Sequence, residues 1–257
     1  MNDPPDPISK ELTLIALSGL PEIKQGDDIA SEIFKAQKKL AIDFEDGDIY
    51  VIAQKVVSKA EGRVAKINSI APSVFSSEFA KFLSKDPREV ELILRESKSV
   101  VRARRGILIT ETKRGIVCAN AGIDRSNVMG DDSALLLPEN PDRSALKIRK
   151  RLEKLTGKML AVIISDTFGR PWREGQVDFA IGVSGISCFR DYRGKRDMYD
   201  RVLRVTRIAQ VDEIAAAAEL LMGKARSIPV VLMKGYSFER EDGSKKLLRR
   251  ITRDLFR

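Results

Sequence analysis

The sequence predicts an α+β protein built on mixed sheets with non-adjacent strand pairing. Two observations carry this. Short apolar runs, LTLIAL (12–17), IYVIA (49–53), MLAVII (159–164) and PVVLMK (229–234), have the length and β-branched content of buried strands. Between them lie segments with helical apolar spacing, IASEIFKAQKKLAI (29–42), DRSALKIRKRLEKLT (142–156) and EIAAAAELLMG (213–223). Strand and helix patterns do not alternate strictly, so pattern alone leaves the sheet topology open.

The elements follow in order. After the first strand comes the turn-rich GLPEIKQGDD (19–28), then the first helix. IYVIA emerges from the acidic turn FEDGD and feeds the polar stretch QKVVSKAEGR (54–63), read as a loop. From 72 to about 97 the pattern is helical in two pieces, because Asp86-Pro87 breaks it. GILITET (106–112) and GIVCAN (115–120) form a hairpin through Lys113-Arg114-Gly115, and the second runs into NAGIDRSNVMGDD (120–132). Asp142 is the expected N-cap and Gly157 the terminator of the helix that carries Leu146, Ile148, Leu152 and Leu155 on its apolar face. The MLAVII strand then enters SDTFGRPWREG (165–175), read as a flexible cationic loop, with further strands expected near IGVSGI (181–186) and VLRVTRIA (202–209). Asp212 is expected to cap the alanine-rich helix.

The domain plan is an N-terminal tail (1–11), a main domain (12–240) of one unit or two intimately joined subdomains, and a basic amphipathic C-terminal helix (241–257). In that last segment KKLLRRITRDLFR sets Leu247, Leu248, Ile251, Leu255 and Phe256 on one face. Such a stripe suits a docked terminal helix or dimer contact, a reading favoured over a membrane-surface helix.

Lys and Arg number 46 against 37 Asp and Glu in 257 residues, a formal charge of +9 that attracts anions. Nucleic acid and a phosphorylated or polycarboxylate small molecule both satisfy it. No recognised nucleic-acid motif is present, and aromatic residues make up only 6%, which favours the small molecule. There is no histidine, and Cys118 and Cys188 are too few for the usual zinc sets and lack a basic partner for nucleophilic work. Metal and electrostatic catalysis through hard oxygen ligands remain. The absence of a signal-like start and of a long apolar run leads to the expectation of a cytoplasmic protein without membrane contact.

Three stretches at strand ends share a design of apolar strand, small or polar residues, then charge: 54–63, 119–132 and 165–175. Asp124 and Asp166 are candidate ligands for magnesium or manganese, with the Thr167 hydroxyl adjacent; an Asp after a strand is also a common turn former. Arg170 and Arg173 supply guanidinium forks for phosphate or carboxylate, or else pair with Glu174 or Asp178 to fasten the loop. Lys55 and Lys59 offer phosphate counter-charge, or are surface lysines. Neither G-x-x-x-x-G-K-[ST] nor G-x-G-x-x-G occurs, so a nucleotide site here needs another construction.

GLPEIKQGDDIA, VIAQKVVSKAEGR, VCANAGIDRSNV, SDTFGRPWREG, DEIAAAAELLMGKA and IPVVLMKG occur in that order and span nearly the whole chain. With them the sequence resembles the coenzyme F420-0:L-glutamate ligase family, also called F420:gamma-glutamyl ligase. The resemblance implies an F420 gamma-glutamyl ligase-like fold in an intertwined homodimer. It implies GTP as co-substrate, Mg2+ or Mn2+, and K+ as a further candidate cation. The expected reaction adds L-glutamate to F420-0 and extends a gamma-linked tail through an acyl phosphate, releasing GDP and phosphate; a relative could instead serve a different carboxylate acceptor.

By the same resemblance Asp124 and Asp166 are metal ligands, and Thr167 serves a second metal. Leu20, Pro21, Glu22 and Ile23, then Gln54, Lys55, Lys59 and Asn127, and the stretch Met222, Gly223, Lys224, Ala225 and Arg226, are implied GTP contacts. At Lys224 some relatives carry an acid that binds the second metal, which a protonated lysine cannot do. Lys224 is therefore expected to touch phosphate, the alternative being that Glu213 or Glu219 serves as the acid.

Overall fold

The computed structural model describes residues 11–125 and 132–254. In chain order the elements are β1 (Thr13–Ala16), α1 (Ile29–Lys39), β2 (Ile49–Ala53), α2 (Gln54–Ala60), β3 (Val64–Lys66), α3 (Val74–Leu83), α4 (Pro87–Glu96), β4 (Ser97–Arg104), β5 (Ile107–Thr112) and β6 (Val117–Ala119). Then come β7 (Ser133–Leu135), α5 (Pro141–Thr156), β8 (Ala161–Arg170), β9 (Arg173–Ser184), β10 (Arg190–Asp191), β11 (Arg207–Ile208), α6 (Gln210–Met222) and β12 (Val230–Lys234).

The expected α+β class with mixed sheets holds. The main sheet runs β1-β12-β2-β8-β9, in which β2 and β8 pair in parallel and all other neighbours are antiparallel. Sequence neighbours β1 and β2 are separated by the last strand of the chain, the non-adjacent pairing anticipated. Each central strand is apolar on both faces because both faces are covered. Tyr50, Ile52, Val162 and Ile164 pack with α1 and α5, whereas Ile49, Val51, Ala161 and Ile163 pack beneath α6. The long crossover between β2 and β8 folds into a smaller unit, with sheets β4-β5-β6 and β3-β7 and its own clusters around Leu83, Val90, Ile93 and Leu108, and around Ile67, Leu92 and Ala134.

Several local expectations are corrected. SDTFGRPWREG is no loop: it is the tip of the β8–β9 hairpin, with Trp172 at φ 64 and 86% exposed. QKVVSKAEGR opens as helix α2; the strand expected near IGVSGI is present as the end of β9, which starts earlier, at Arg173. VLRVTRIA is not one strand: Arg207–Ile208 pairs with Arg190–Asp191, and Val202 makes a single bridge with Arg196. Asn140 caps α5 by accepting from Arg143 N, since Pro141 at the first position presets the helical φ and draws the start back. Asp142 instead accepts from Val183 N and Ser244 N at 2.9 and 2.8 Å, fastening α5 to β9 and to the C-terminal segment. Likewise α6 starts at Gln210 with no side-chain cap, and Asp212 accepts from Ala180 N.

The expected C-terminal helix over 241–257 is, among the described residues, two single 3-10 turns at Lys245–Leu247 and Ile251–Arg253. Asp242 holds that segment to β9 through Ser184 Oγ and Gly185 N, both at 2.7 Å, and these contacts replace helix formation as its anchor. No helix among the described residues is long and apolar enough to cross a membrane.

Candidate active site at the ends of β2 and β8

The parallel pairing of β2 with β8 sets Ala53 beside Ser165, so the residues that follow β2 emerge beside the continuing outer half of β8. From β2 come Gln54 and Lys55 at the start of α2; from β8 come Asp166 and Thr167. Asp124 arrives from the smaller unit. Its backbone is fixed by two hydrogen bonds to Leu135, after a run of three left-handed residues, Asn120, Ala121 and Gly122. A Cβ on Gly122 would lie 2.7 Å from the Leu137 side chain, so this turn is shaped for glycine on two counts.

These placements join three of the expected residues. Lys55 Nζ lies 2.6 Å from Asp124 Oδ2. Burial pushes the Asp166 carboxyl up to about 7; the Thr167 backbone N–H lowers it, the charges of Asp178 and Asp124 raise it, and Lys55 lowers it. The negative charges of Asp178 and Asp124 thus act on the buried Asp166 carboxyl, an effect that a bound cation would offset.

Thr167 belongs to a second cluster. Alternation along β8 turns Ile163, Ser165 and Thr167 toward α6, while Ile164, Asp166 and Phe168 face the α1–α5 side. Register places Thr167 opposite Asp178 of β9. The Asp178 carboxylate, 5% exposed, accepts from Ser165 Oγ at 2.8 Å and from Thr167 Oγ1 at 2.5 Å. Lys224, just beyond α6, donates to Thr167 Oγ1, and its ammonium is 3.9 Å from both Asp178 Oδ1 and Glu219 Oε1.

The other expected contacts divide. Gln54 is buried, accepts from Ser58 Oγ at 2.8 Å, and has an Nε2 without a partner among the described residues. Lys59 pairs with Glu22 at 3.5 Å, tying α2 to the 19–28 turn. In that turn Ile23 is core and Leu20 packs against it, whereas Pro21 and Glu22 are exposed. Met222 is buried in the cluster under α6; Gly223 ends that helix at φ 56, and Ala225 and Arg226 are exposed. Arg170 and Arg173 lie at the hairpin tip, four or more residues and about 13 Å along the strand from Asp166. Arg170 Nη2 donates to Glu174 O at 2.6 Å, so it fastens the tip through a carbonyl and not through a carboxylate. Asn127 lies outside the described residues. Glu213 sits in the first turn of α6, at the far end of that helix from Lys224.

Asp178 is the residue that the sequence under-read. With Arg170 paired to Arg173, an unbroken hairpin would set Gln176 opposite Thr167; the irregularity beside Gly169 moves the partner on by two residues to Asp178. The strand alternation of an acid two residues from a buried apolar run was the available signal.

Among the described residues no three Asp, Glu or Cys side chains converge as a ready metal cage. Asp124 and Asp166 nonetheless fit one divalent ion, because hard oxygen donors are present and their mutual repulsion needs counter-charge beyond Lys55. The Thr167 side does not fit a second ion, since the Lys224 ammonium already sits on its oxygens. Both thiols are buried, and burial pushes each up to about 12, which keeps thiolate scarce at neutral pH.

Fold and site together define an α+β protein that gathers acidic side chains and lysines where β2 and β8 run side by side. The sequence profile of the F420-0:Gamma-glutamyl ligase family matches residues 19–235. The chain is 48% identical over 250 residues to the coenzyme F420:L-glutamate ligase of Methanothermobacter thermautotrophicus, covering 96% of this chain and 99% of that protein. It is 45% identical to the proteins of that name from Methanopyrus kandleri, over 92% of this chain and 94% of that protein, and Methanocaldococcus jannaschii, over 93% and 94%. The chain belongs to the F420-0:gamma-glutamyl ligase family.

Proposed function

We propose that this protein is a GTP-dependent ligase that joins L-glutamate to coenzyme F420-0 and lengthens a gamma-linked glutamate tail. The relatives' names support the acceptor and the amino acid. The observation that supports a metal requirement is the placing of Asp124 near Asp166, whose carboxyl is pushed up to about 7 by burial first and then by the charges of Asp178 and Asp124. Magnesium or manganese on Asp124 and Asp166 would supply counter-charge for the triphosphate.

In this reading an acceptor carboxylate oxygen bonds to the γ-phosphorus of GTP as the β,γ-bridging bond breaks, giving an acyl phosphate and GDP. The glutamate amine then bonds to the acyl carbon, phosphate departs, and the amine loses a proton. Neither step needs a side-chain nucleophile, in keeping with the absent histidine and the buried thiols. Lys55 holds Asp124 in place and adds positive charge beside the phosphates. Gln54 offers its unpartnered Nε2 as a donor, and Lys59 with Glu22 keeps the 19–28 turn against α2. The formal charge of +9 suits two polyanionic substrates.

The test is incubation with F420-0, GTP, glutamate and manganese, read by mass spectrometry for steps of one glutamate and by release of GDP. Asp124→Asn and Asp166→Asn should each abolish both signals while the circular dichroism stays native. Product formation at the normal rate in either variant would remove the metal assignment.

A further inference from the structure

Lys224 occupies an all-oxygen setting. Its ammonium donates to the Thr167 hydroxyl and stands 3.9 Å from Asp178 Oδ1 and 3.9 Å from Glu219 Oε1. Glu219 lies on α6 near its C-terminal end, where the helix dipole also favours a cation. The Thr167 hydroxyl is committed on both sides: its hydrogen goes to Asp178 and it accepts from Lys224. A divalent ion on the same oxygen would need bonds of about 2.0–2.1 Å to hard donors, and the protonated amine can offer none. Such an ion and the ammonium cannot share this space. Asp166, facing the other side of β8, is left for the one ion that Asp124 also serves.

We propose that the Lys224 ammonium is a tethered cation standing in for a second metal ion, so that the protein uses one divalent ion per chain. This rests on the metal-dependent ligase reading above and specifies how that site is charged. With its side chain 60% exposed, Lys224 can turn its remaining N–H groups outward while it holds Thr167. Those N–H groups suit a phosphate oxygen of the nucleotide. The tethered charge requires no uptake from solution, so the second positive charge of the site does not depend on metal concentration.

Manganese binding to the full-length protein, measured by equilibrium dialysis with and without a non-hydrolysable GTP analogue, tests this apart from turnover. One ion per chain under both conditions supports the proposal. Two ions per wild-type chain overturn it while leaving the metal-dependent reading intact, and no bound ion overturns both. Lys224→Glu, which supplies an acid in place of the ammonium, should take up two ions with the analogue present; one ion in a variant that melts like the wild type would count against the proposal. Lys224→Met should keep one ion and weaken binding of the analogue by about 10- to 100-fold, the range for a lost hydrogen bond to a charged group. Unchanged analogue affinity in Lys224→Met would overturn the phosphate contact.

Discussion

Thr167 Oγ1 donates to Asp178 Oδ1 across 2.5 Å, linking neighbouring strands of one hairpin beneath the last turn of α6. The same carboxylate accepts from Ser165 Oγ, so one buried acid orients two hydroxyls. Asp178→Asn keeps the shape but leaves one acceptor oxygen for two donors. It should destabilise the fold by about 1–3 kcal/mol, the cost of an unsatisfied buried polar group. Urea denaturation measures this. Because Thr167 and Asp178 share a bond, Thr167→Val combined with Asp178→Asn should cost less than the sum of the single changes; strict additivity would show that the bond contributes nothing.

The stability of the metal-free protein should depend on pH through Asp166. Its carboxyl titrates near 7 in the fold, against 3.8 ordinarily. Between these values the folded chain keeps a proton that the unfolded chain has lost, so this group's contribution to stability falls as pH rises from about 4 to about 7. Below that window both states are protonated and nothing is lost; above it the full cost persists. Asp166→Asn should remove the cost and exceed the wild type by a few kcal/mol at pH 8, with the two converging toward pH 4. Denaturation in the presence of a chelator reads the difference, and a gap that does not vary with pH would contradict it. Carboxyl NMR separates the causes: Lys55→Met should raise the Asp166 titration point further, and Asp124→Asn should lower it.

Much of this was legible in the sequence because apolar period and turn chemistry act locally. IYVIA is β2 residue for residue, and the helix break at Asp86-Pro87 falls between α3 and α4. Asp124, Asp166 and Lys55 were named from strand ends and family resemblance, and the parallel β2–β8 pair is what brings them together. The errors came where long-range contacts decide. Gly169, Gly175 and Pro171 make SDTFGRPWREG read as a loop, yet Gly169 pairs with Gln176 and Arg170 with Arg173, which makes the stretch a hairpin tip. Leu20, Ile23 and Met222 lie within matched motifs, and their side chains lie in or against the core. Lys224 was recognisable as a departure, whereas its place on Thr167 depends on how α6 packs across β8 and β9.

Both cysteines should be silent toward thiol reagents in the native protein. Cys118 is 5% exposed and Cys188 fully buried, and burial raises both thiols to about 12, with the Asp166 charge adding to the effect at Cys118. Thiolate is therefore scarce at neutral pH. Titration with a chromogenic disulfide should count none in buffer and two in denaturant. Ligase activity should survive prolonged exposure to N-ethylmaleimide; rapid inactivation would return a thiol to the mechanism.

Gly182 on β9 lies where the start of α5 comes close against the main sheet. A Cβ there would stand 2.5 Å from both the carbonyl carbon and the oxygen of Pro141, backbone atoms that cannot swing aside. Pro141 in turn begins the helix that covers the sheet, with Asp142 bonded to Val183 N next door. Gly182→Ala must therefore push α5 off β9 and strain that bond. We expect a cost of about 1–3 kcal/mol, seen as a lower melting temperature by about 2–4 °C for each kcal/mol. Gly169→Ala is the matched control, because nothing lies within 4 Å of a Cβ built there. It should stay within about 0.5 kcal/mol of the wild type. Equal losses in the two variants would mean that the α5–β9 contact yields more easily than close packing of backbone on backbone allows.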